Sequence, residues 1–216
     1  MLNVLGTIYK KEVVKLWHKS HDLENCDFIV LPGGFSYGDY LRSGAIARFS
    51  PIMSEVISFA NNGGNVMGIC NGFQVLCESH LLPGALMRNS GQLFRCENVY
   101  IKCENNETVF SKNIAKDKAL KIPIAHAEGR FYCDENTLSE LEKNQQIIFK
   151  YCDENGVVND ASNPNGSLKN IAGICNATKN VFGMMPHPER AADTELFNTD
   201  GRNIFDSILN HVLENA

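Results

Sequence analysis

Apolar and polar residues alternate along the chain with two different periods, and the period changes at regular intervals. Short apolar runs typical of buried strands occupy residues 27–32 and 65–69. Each run is followed by a segment with the repeat of an amphipathic helix, at residues 46–60 and 71–78 respectively. Strands that alternate with helices at this spacing predict a parallel sheet with helices on both faces.

The start of the chain predicts a helix followed by a strand. Leu2, Leu5 and Ile8 fall on one helical face, whereas residues 12–17 have a strand-like pattern. An α/β sheet of this kind usually begins with a strand that becomes central. This chain therefore has an unusual order of elements at its start.

Short strands separated by polar loops replace this alternation in the second half of the chain. Residues 98–103 and 120–124 fit an antiparallel insertion or edge hairpins. We predict a short helix at residues 138–141, strands at residues 146–151, 170–176 and 180–185, a polar loop at residues 153–170 and a closing helix at residues 203–213. No linker or repeat divides the chain, so we expect one α/β domain, residues 1–216, with a mixed, mostly parallel sheet.

Composition and charge exclude several classes of protein. Of the 216 residues, 44% are hydrophobic, which is typical of a globular chain, and the net charge of −5 leaves no basic face for nucleic acid. No apolar run approaches the roughly 20 residues of a membrane span, and no secretory signal is present. The eight cysteines form no CxxC pair. We therefore expect a cytoplasmic protein with reduced thiols, most of them buried as small apolar residues.

The segment Gly68-Ile-Cys-Asn-Gly72 lies where a predicted strand meets a predicted helix. It matches the nucleophile elbow G-x-S-x-G with cysteine in place of serine. Glycines permit the sharp turn, and free N–H groups at the start of the helix, that of Asn71 among them, can lower a thiol pKa and hold an oxyanion. We interpret Cys70 as a nucleophile. The alternative, a cysteine packed at a strand end, is our interpretation of the other seven.

A thiol nucleophile requires a base, and the base requires a group that orients it. His187 follows a predicted strand and so falls at the carboxyl ends of the strands, as Cys70 does. Glu189 lies two residues further on, points the same way in an extended segment and can orient the imidazole. A solvated turn is the alternative interpretation, and a metal site lacks further spaced ligands.

Two further segments follow predicted strands, and both leave alternatives open. Residues 32–40 are glycine-rich but lack the lysine of a phosphate loop. They either complete an oxyanion hole or form a plain turn. Residues 126–131 either line a pocket or form a surface loop.

Taken together, these segments resemble the glutaminase subunits of phosphoribosylformylglycinamidine synthases, which are triad-type (class I) glutamine amidotransferases. The resemblance rests on residues 31–42, 44–48, 68–74, 82–89, 125–131 and 184–190. It implies a flavodoxin-like fold, with Cys70 as nucleophile, His187 as base and Glu189 as the residue that orients it. The residues it implies for the oxyanion hole and for glutamine binding are Gly33, Gly34, Asn71, Gln74, Gly129 and Arg130.

The resemblance also implies a substrate and partners. L-glutamine would be hydrolysed without any cofactor or metal in this chain. The ammonia would pass to a large synthetase subunit, which uses ATP and magnesium to convert formylglycinamide ribonucleotide to the amidine, and a small accessory subunit would complete the complex.

This chain departs from the family pattern at two places. Ser43 stands where the family usually has a cysteine. Family members also begin with a strand that this chain lacks, so we expect a domain that is incomplete at its N-terminus. One alternative follows from this, a non-catalytic partner subunit that keeps only the docking surface. A separate alternative is a cysteine-dependent stress hydrolase on a similar fold.

Overall fold

The computed structural model describes residues 1–214, in which nine strands and four α-helices follow one another along the chain. The strands are β1 (Phe28–Leu31), β2 (Asn65–Ile69), β3 (Ala85–Met87), β4 (Arg95–Cys103), β5 (Ala119–His126), β6 (Arg130–Tyr132), β7 (Ile147–Cys152), β8 (Ile171–Cys175) and β9 (Val181–Met184). The helices are α1 (Pro51–Asn61), α2 (Asn71–Glu78), α3 (Glu135–Lys143) and α4 (Arg202–Glu214).

Seven of these strands form a mixed sheet in the order β1-β2-β9-β8-β7-β4-β5. The pairs β1–β2 and β2–β9 are parallel, whereas the other four neighbouring pairs are antiparallel. Because β4 and β8 alone run in the opposite direction, β5 points the same way as β9. The α/β fold and the mixed sheet are confirmed, and "mostly parallel" holds for strand direction but not for neighbouring pairs.

The core lies on both faces of this sheet. On one face, α2 packs so closely that a β-carbon on Gly183 would overlap the ring of Phe73. On the other face, the ring of Phe182 stacks on that of Phe110 with 5.0 Å between centroids. The segment that carries Phe110 is joined to α4, since Ser207 Oγ in α4 accepts a hydrogen bond from the backbone N–H of Asn113. The sheet is therefore covered on both sides.

Local sequence explains where the helices begin. Pro51 occupies the first position of α1, where its missing N–H removes no helical hydrogen bond. Asp134 caps α3, because its carboxylate accepts a hydrogen bond from the backbone N–H of Thr137 at 2.8 Å. All eight residues of α2 are buried, which is expected for a helix enclosed by other elements.

Several predicted elements are confirmed, and β2 and α2 have the predicted bounds. The strand predicted at residues 12–17 is wrong, because this segment pairs with no strand and β1 is the edge of the sheet. The predicted first helix is a short π-helical segment, Asn3–Ile8. The pairing of β3 with β6 in a separate two-stranded sheet was not predicted.

The eight cysteines are all free thiols, and six of them are buried, as the sequence predicted. Among residues 1–214, no helix is long and apolar enough to cross a membrane.

Candidate active site

Three loops of the candidate active site follow the carboxyl ends of β1, β2 and β9. These ends lie on the same side of the sheet because the three strands are parallel neighbours. β1 leads to Gly33, β2 ends just before Cys70, and β9 leads to His187. β5 also ends at this side, and its Pro123 carbonyl oxygen accepts a hydrogen bond from the backbone N–H of His187 at 2.8 Å. The side chains therefore gather at the carboxyl ends of the strands, where open α/β sheets bind ligands.

The turn at Cys70 is sharp and strained. Cys70 has a φ angle of 51°, which is rare for a residue with a side chain. Its backbone N–H donates to the carbonyl oxygen of Met184 at 2.8 Å, so the turn is held by β9. A β-carbon on Gly72 would overlap the carbonyl oxygen of Leu31. Only glycine therefore lets α2 approach β1 this closely.

The thiol of Cys70 is buried and carries its proton at neutral pH. Its Sγ donates to the carbonyl oxygen of Ala125 at 3.7 Å. Burial raises the pKa of the thiol to about 12, although the N–H of Asn71 at the start of α2 acts in the opposite direction. The thiol therefore needs a base that takes its proton during the reaction.

His187 and Glu189 form the pair that the sequence predicted. Nδ1 of His187 lies 2.7 Å from Oε1 of Glu189. Burial alone would raise the pKa of Glu189, but the hydrogen bond from His187 and the charge of the protonated imidazole lower it below its usual value. Because a carboxylate only accepts, Nδ1 carries the proton and Nε2 of His187 presents a lone pair.

The imidazole of His187 and the thiol of Cys70 meet at Gly33. A β-carbon on Gly33 would lie 2.7 Å from Cε1 of His187 and 3.6 Å from Cβ of Cys70. Nε2 of His187 is buried and has no hydrogen-bond partner in the described part of the chain. The imidazole thus lies beside Cys70 with Nε2 unpaired, while the thiol donates to Ala125.

One side of the site is formed by residues 33–43, which we call the outer wall. Three of its non-glycine residues have positive φ angles, namely Tyr37 (55°), Asp39 (54°) and Leu41 (69°). Such angles cost free energy and persist only where surrounding contacts hold them. One of these contacts is the ion pair between Arg42 and Glu78 of α2, with 2.6 Å between Nε and Oε1.

Two serines also tie the outer wall to the site. The hydroxyl and the backbone N–H of Ser36 both donate to Oδ1 of Asn71. The hydroxyl and the backbone N–H of Ser43 both donate to Oε2 of Glu128, at 2.7 and 3.1 Å. Ser43, the position that departs from the family pattern, therefore contributes to the geometry of the site.

The opposite side of the site is formed by residues 123–130, which we call the inner wall. It is held by Asn89, whose side chain is 1% exposed. Nδ2 of Asn89 donates to the carbonyl oxygens of Leu93 and His126, each at 2.9 Å. Its Oδ1 lies 3.0 Å from the N–H of Gly129 and 3.1 Å from Nδ1 of His126. One buried amide therefore holds the inner wall at His126 and at Gly129.

Gln74 joins the nucleophile elbow to the inner wall. Its Oε1 accepts from Nδ2 of Asn71 at 2.8 Å, and its Nε2 donates to the carbonyl oxygen of Glu128 at 2.6 Å. The structure therefore places Gln74 in the site, with its amide already bonded to the protein.

The other residues implied for glutamine binding have different surroundings. Both backbone groups of Gly129 are bonded within the chain, its N–H to Asn89 and its carbonyl oxygen to Nδ2 of Asn165 at 2.9 Å. Nε of Arg130 is buried and has no partner among the described residues. Gly34 has no atom within 4 Å of the place of a β-carbon, so it faces open space. A role for these residues in binding glutamine stays a prediction.

Four residues that shape the site were not predicted to do so, and they are Ser36, Ser43, Asn89 and Glu128. Each contacts a partner at least 35 residues away in the sequence. A local pattern contains no sign of such contacts. The available signal was that Ser36, Asn89 and Glu128 lie in segments that carry the family resemblance.

Comparisons with known proteins agree with this geometry. Residues 7–207 match the family described as the CobB/CobQ-like glutamine amidotransferase domain. The chain belongs to this family. Among solved structures, the glutamine amidotransferase domain matches a chain in the structure of PurLQS from Thermotoga maritima, with a TM-score of 0.76 and 42% identity, over 88% of this chain and 82% of the other.

Curated relatives of this glutamine amidotransferase domain share a name. The phosphoribosylformylglycinamidine synthase subunit PurQ of Koribacter versatilis is 56% identical, over 95% of this chain and 89% of the relative. The subunit of the same name from Moorella thermoacetica is 54% identical, over 95% of this chain and 87% of the relative.

Proposed function

We propose that this chain is the glutaminase subunit of a phosphoribosylformylglycinamidine synthase. The observation that carries the proposal is the His187–Glu189 pair beside Cys70 on its strained elbow. These are the nucleophile, base and orienting residue that acyl transfer from an amide requires. The names of the relatives supply the class of reaction.

The geometry supports the following sequence of steps. The proton of the Cys70 thiol passes to Nε2 of His187, and the sulfur attacks the side-chain amide carbon of L-glutamine. The N–H of Asn71, with Gly33 and Gly34 nearby, stabilises the oxyanion. His187 then protonates the leaving nitrogen, ammonia departs, and water that His187 activates hydrolyses the γ-glutamyl thioester. Glu189 stabilises the imidazolium in both halves of the reaction.

The ammonia would be used by a separate synthetase subunit that converts formylglycinamide ribonucleotide to formylglycinamidine ribonucleotide. ATP and magnesium would bind there, and a small accessory subunit would join the complex in the cytoplasm. The surface next to the site supports a partner, since Phe35, Tyr40 and Leu41 of the outer wall are 62%, 76% and 89% exposed. Clustered exposed apolar side chains are typical of interaction sites.

The proposal is tested with the chain mixed with the synthetase. We expect amidine formation from glutamine, and its loss in Cys70→Ala by a factor of about 10³ or more. The Cys70→Ala complex should still form product from ammonium chloride, because the synthetase remains intact. Cys26→Ala is the matched control, since Cys26 is a free thiol that precedes β1 and so lies at the opposite end of that strand from Gly33. Glutamine hydrolysis that survives Cys70→Ala would contradict the proposal.

A second candidate, a partner subunit without catalysis, is favoured by one observation. The thiol of Cys70 donates to Ala125 and not to His187. The same mixing experiment separates the two functions. Complex formation without turnover of glutamine, together with normal turnover of ammonium chloride, would identify the non-catalytic subunit.

A further inference from the structure

The hydrogen bonds of Asn89 decide which nitrogen of His126 carries the proton. Nδ2 of Asn89 faces two carbonyl oxygens, those of Leu93 and His126, so this atom is the amide nitrogen. Its Oδ1 must then accept from both of its other neighbours, the N–H of Gly129 and Nδ1 of His126. His126 is therefore protonated at Nδ1, and its Nε2 presents a lone pair.

Nε2 of His126 is an acceptor without a donor. The side chain is 2% exposed, and Nε2 has no hydrogen-bond partner among the described residues. Burial, with a smaller contribution from His187, lowers the pKa of His126 to about 4, so the ring stays neutral at physiological pH. Buried acceptors of this kind are rare in folded proteins and call for an explanation.

The position of His126 suggests what this acceptor could bind. The preceding residue, Ala125, accepts the hydrogen bond from the Cys70 thiol, and Pro123 in the same strand accepts from His187. The two imidazoles are close enough that a proton on His187 lowers the pKa of His126. Both rings are protonated at Nδ1, and both present a buried, unpartnered Nε2.

In the proposed reaction the lone pair of His187 takes the thiol proton, so the lone pair of His126 stays free to accept a hydrogen bond from a group that carries N–H bonds. The reacting amide nitrogen of glutamine is such a group, and so is the ammonia that it becomes. We propose that Nε2 of His126 accepts a hydrogen bond from this leaving nitrogen, opposite His187. The inference rests on the proposed glutaminase function and adds a residue to it.

The proton balance of the step is simple. The thiol proton moves to Nε2 of His187 and from there to the amide nitrogen as the carbon–nitrogen bond breaks. His126 takes no proton, and it orients the nitrogen by accepting one of its N–H bonds. Its low pKa keeps the lone pair available over the whole physiological range.

The test compares two substrates that differ in the leaving group, L-glutamine and the γ-methyl ester of L-glutamate. The ester releases methanol, which has no N–H bond to donate. His126→Asn puts an amide where Nδ1 lies, so it can keep the contact with Asn89 but has no acceptor at the position of Nε2. We expect its kcat on glutamine to fall by about 10- to 100-fold, the range of one hydrogen bond that is made in the transition state.

The decisive quantity is the ratio of kcat/KM on the amide to kcat/KM on the ester. This ratio does not depend on the fraction of folded protein, so a loss of stability in the variant does not affect it. We expect His126→Asn to lower the ratio about tenfold or more, because only the amide loses a hydrogen bond. His126→Gln, whose side-chain oxygen reaches the position of Nε2, should keep the ratio close to that of the wild type.

Other outcomes would overturn the inference. A ratio in His126→Asn within twofold of the wild type would mean that His126 only holds the inner wall. If the amide-to-ester ratio fell as much in His126→Gln as in His126→Asn, an acceptor at the position of Nε2 would not be what sets the ratio. His80→Asn is the matched control, since His80 is exposed and its φ of 60° suits asparagine. If the wild type with the synthetase hydrolyses neither substrate, the glutaminase function and this inference both fall.

Discussion

The two walls of the site are built in opposite ways. The inner wall is buried or half-buried, and the side chain of Asn89 makes three hydrogen bonds with it, to the carbonyl oxygen and Nδ1 of His126 and to the N–H of Gly129. The outer wall exposes most of its apolar side chains and contains three non-glycine residues with positive φ angles. The inner wall is therefore preorganised by the fold itself. The outer wall is a strained segment that a few polar contacts hold in place.

This difference predicts where substitutions affect stability and where they affect activity. A buried amide cannot be removed without leaving donors and acceptors unpaired, so the inner wall should respond mainly in the free energy of unfolding. Polar groups of the outer wall can bond to water when a partner is lost. Substitutions there should therefore change mainly kcat.

The largest effect is expected at Asn89. Asn89→Ala would remove four hydrogen bonds and leave three buried backbone and ring groups without partners. We expect the free energy of unfolding to fall by about 4 kcal/mol, at about 1 kcal/mol for each lost bond. Urea denaturation measures it. Asn62→Ala is the control, because Asn62 is exposed at the end of α1, and equal losses in the two variants would contradict the comparison.

The next effect is a pH dependence that comes from His126. Burial lowers its pKa to about 4 in the folded chain, whereas histidine in an unfolded chain titrates near about 6.5. Between these values the unfolded chain binds the proton and the folded chain does not, so stability falls as the pH falls from about 6.5 to about 4. The loss should reach about 3 kcal/mol.

The measurement is the urea midpoint as a function of pH in the wild type and in His126→Asn. The variant has no imidazole at this position, so its stability should fall less over the same interval. The carboxylates contribute equally to the pH dependence of both proteins, so their contribution cancels when the two stability curves are subtracted. Identical pH dependences would show that His126 does not titrate with the pKa that its burial predicts.

Much of this fold could be predicted from the sequence, because β2, α2 and the elbow between them depend on local periodicity and on glycine. Local periodicity could not decide whether residues 12–17 form a strand. An alternating pattern makes a segment suitable for a sheet, but a strand forms only where its backbone groups pair with a neighbour. In the described structure no strand lies beside that segment.

The proposed catalytic residues could be located for the same reason, since Cys70 and His187 follow recognisable strands. Asn89 and His126 could not, and residues 126–131 were open to two interpretations. The contact that gives them a role joins residues 37 positions apart. Hydrogen bonds of this range follow from the tertiary fold and leave no local pattern.

The third prediction uses two neighbouring glycines at the start of the outer wall. A β-carbon on Gly33 would lie 2.7 Å from the ring of His187, whereas one on Gly34 would meet no atom within 4 Å. Gly33→Ala must displace the imidazole, and a displacement of about 1 Å can lower a rate by about a hundredfold. We expect that loss of kcat in Gly33→Ala and a rate near the wild type in Gly34→Ala. Equal kcat values in the two variants would mean that the imidazole of His187 can move away from residue 33 without loss of activity.

The smallest effect is expected at Ser43, where the two walls meet. Ser43→Ala removes the hydroxyl that donates to Glu128 at 2.7 Å but keeps the backbone N–H that donates to the same oxygen. Because the second donor remains, we expect a loss of about 1 kcal/mol, a fall of about fivefold in kcat/KM for glutamine. Ser43→Cys keeps a weak donor of similar size, so its kcat/KM for glutamine should lie between that of the wild type and that of Ser43→Ala. If Ser43→Ala lowered the free energy of unfolding as much as Asn89→Ala does, the outer wall would be held as firmly as the inner wall, and the distinction between them would fail.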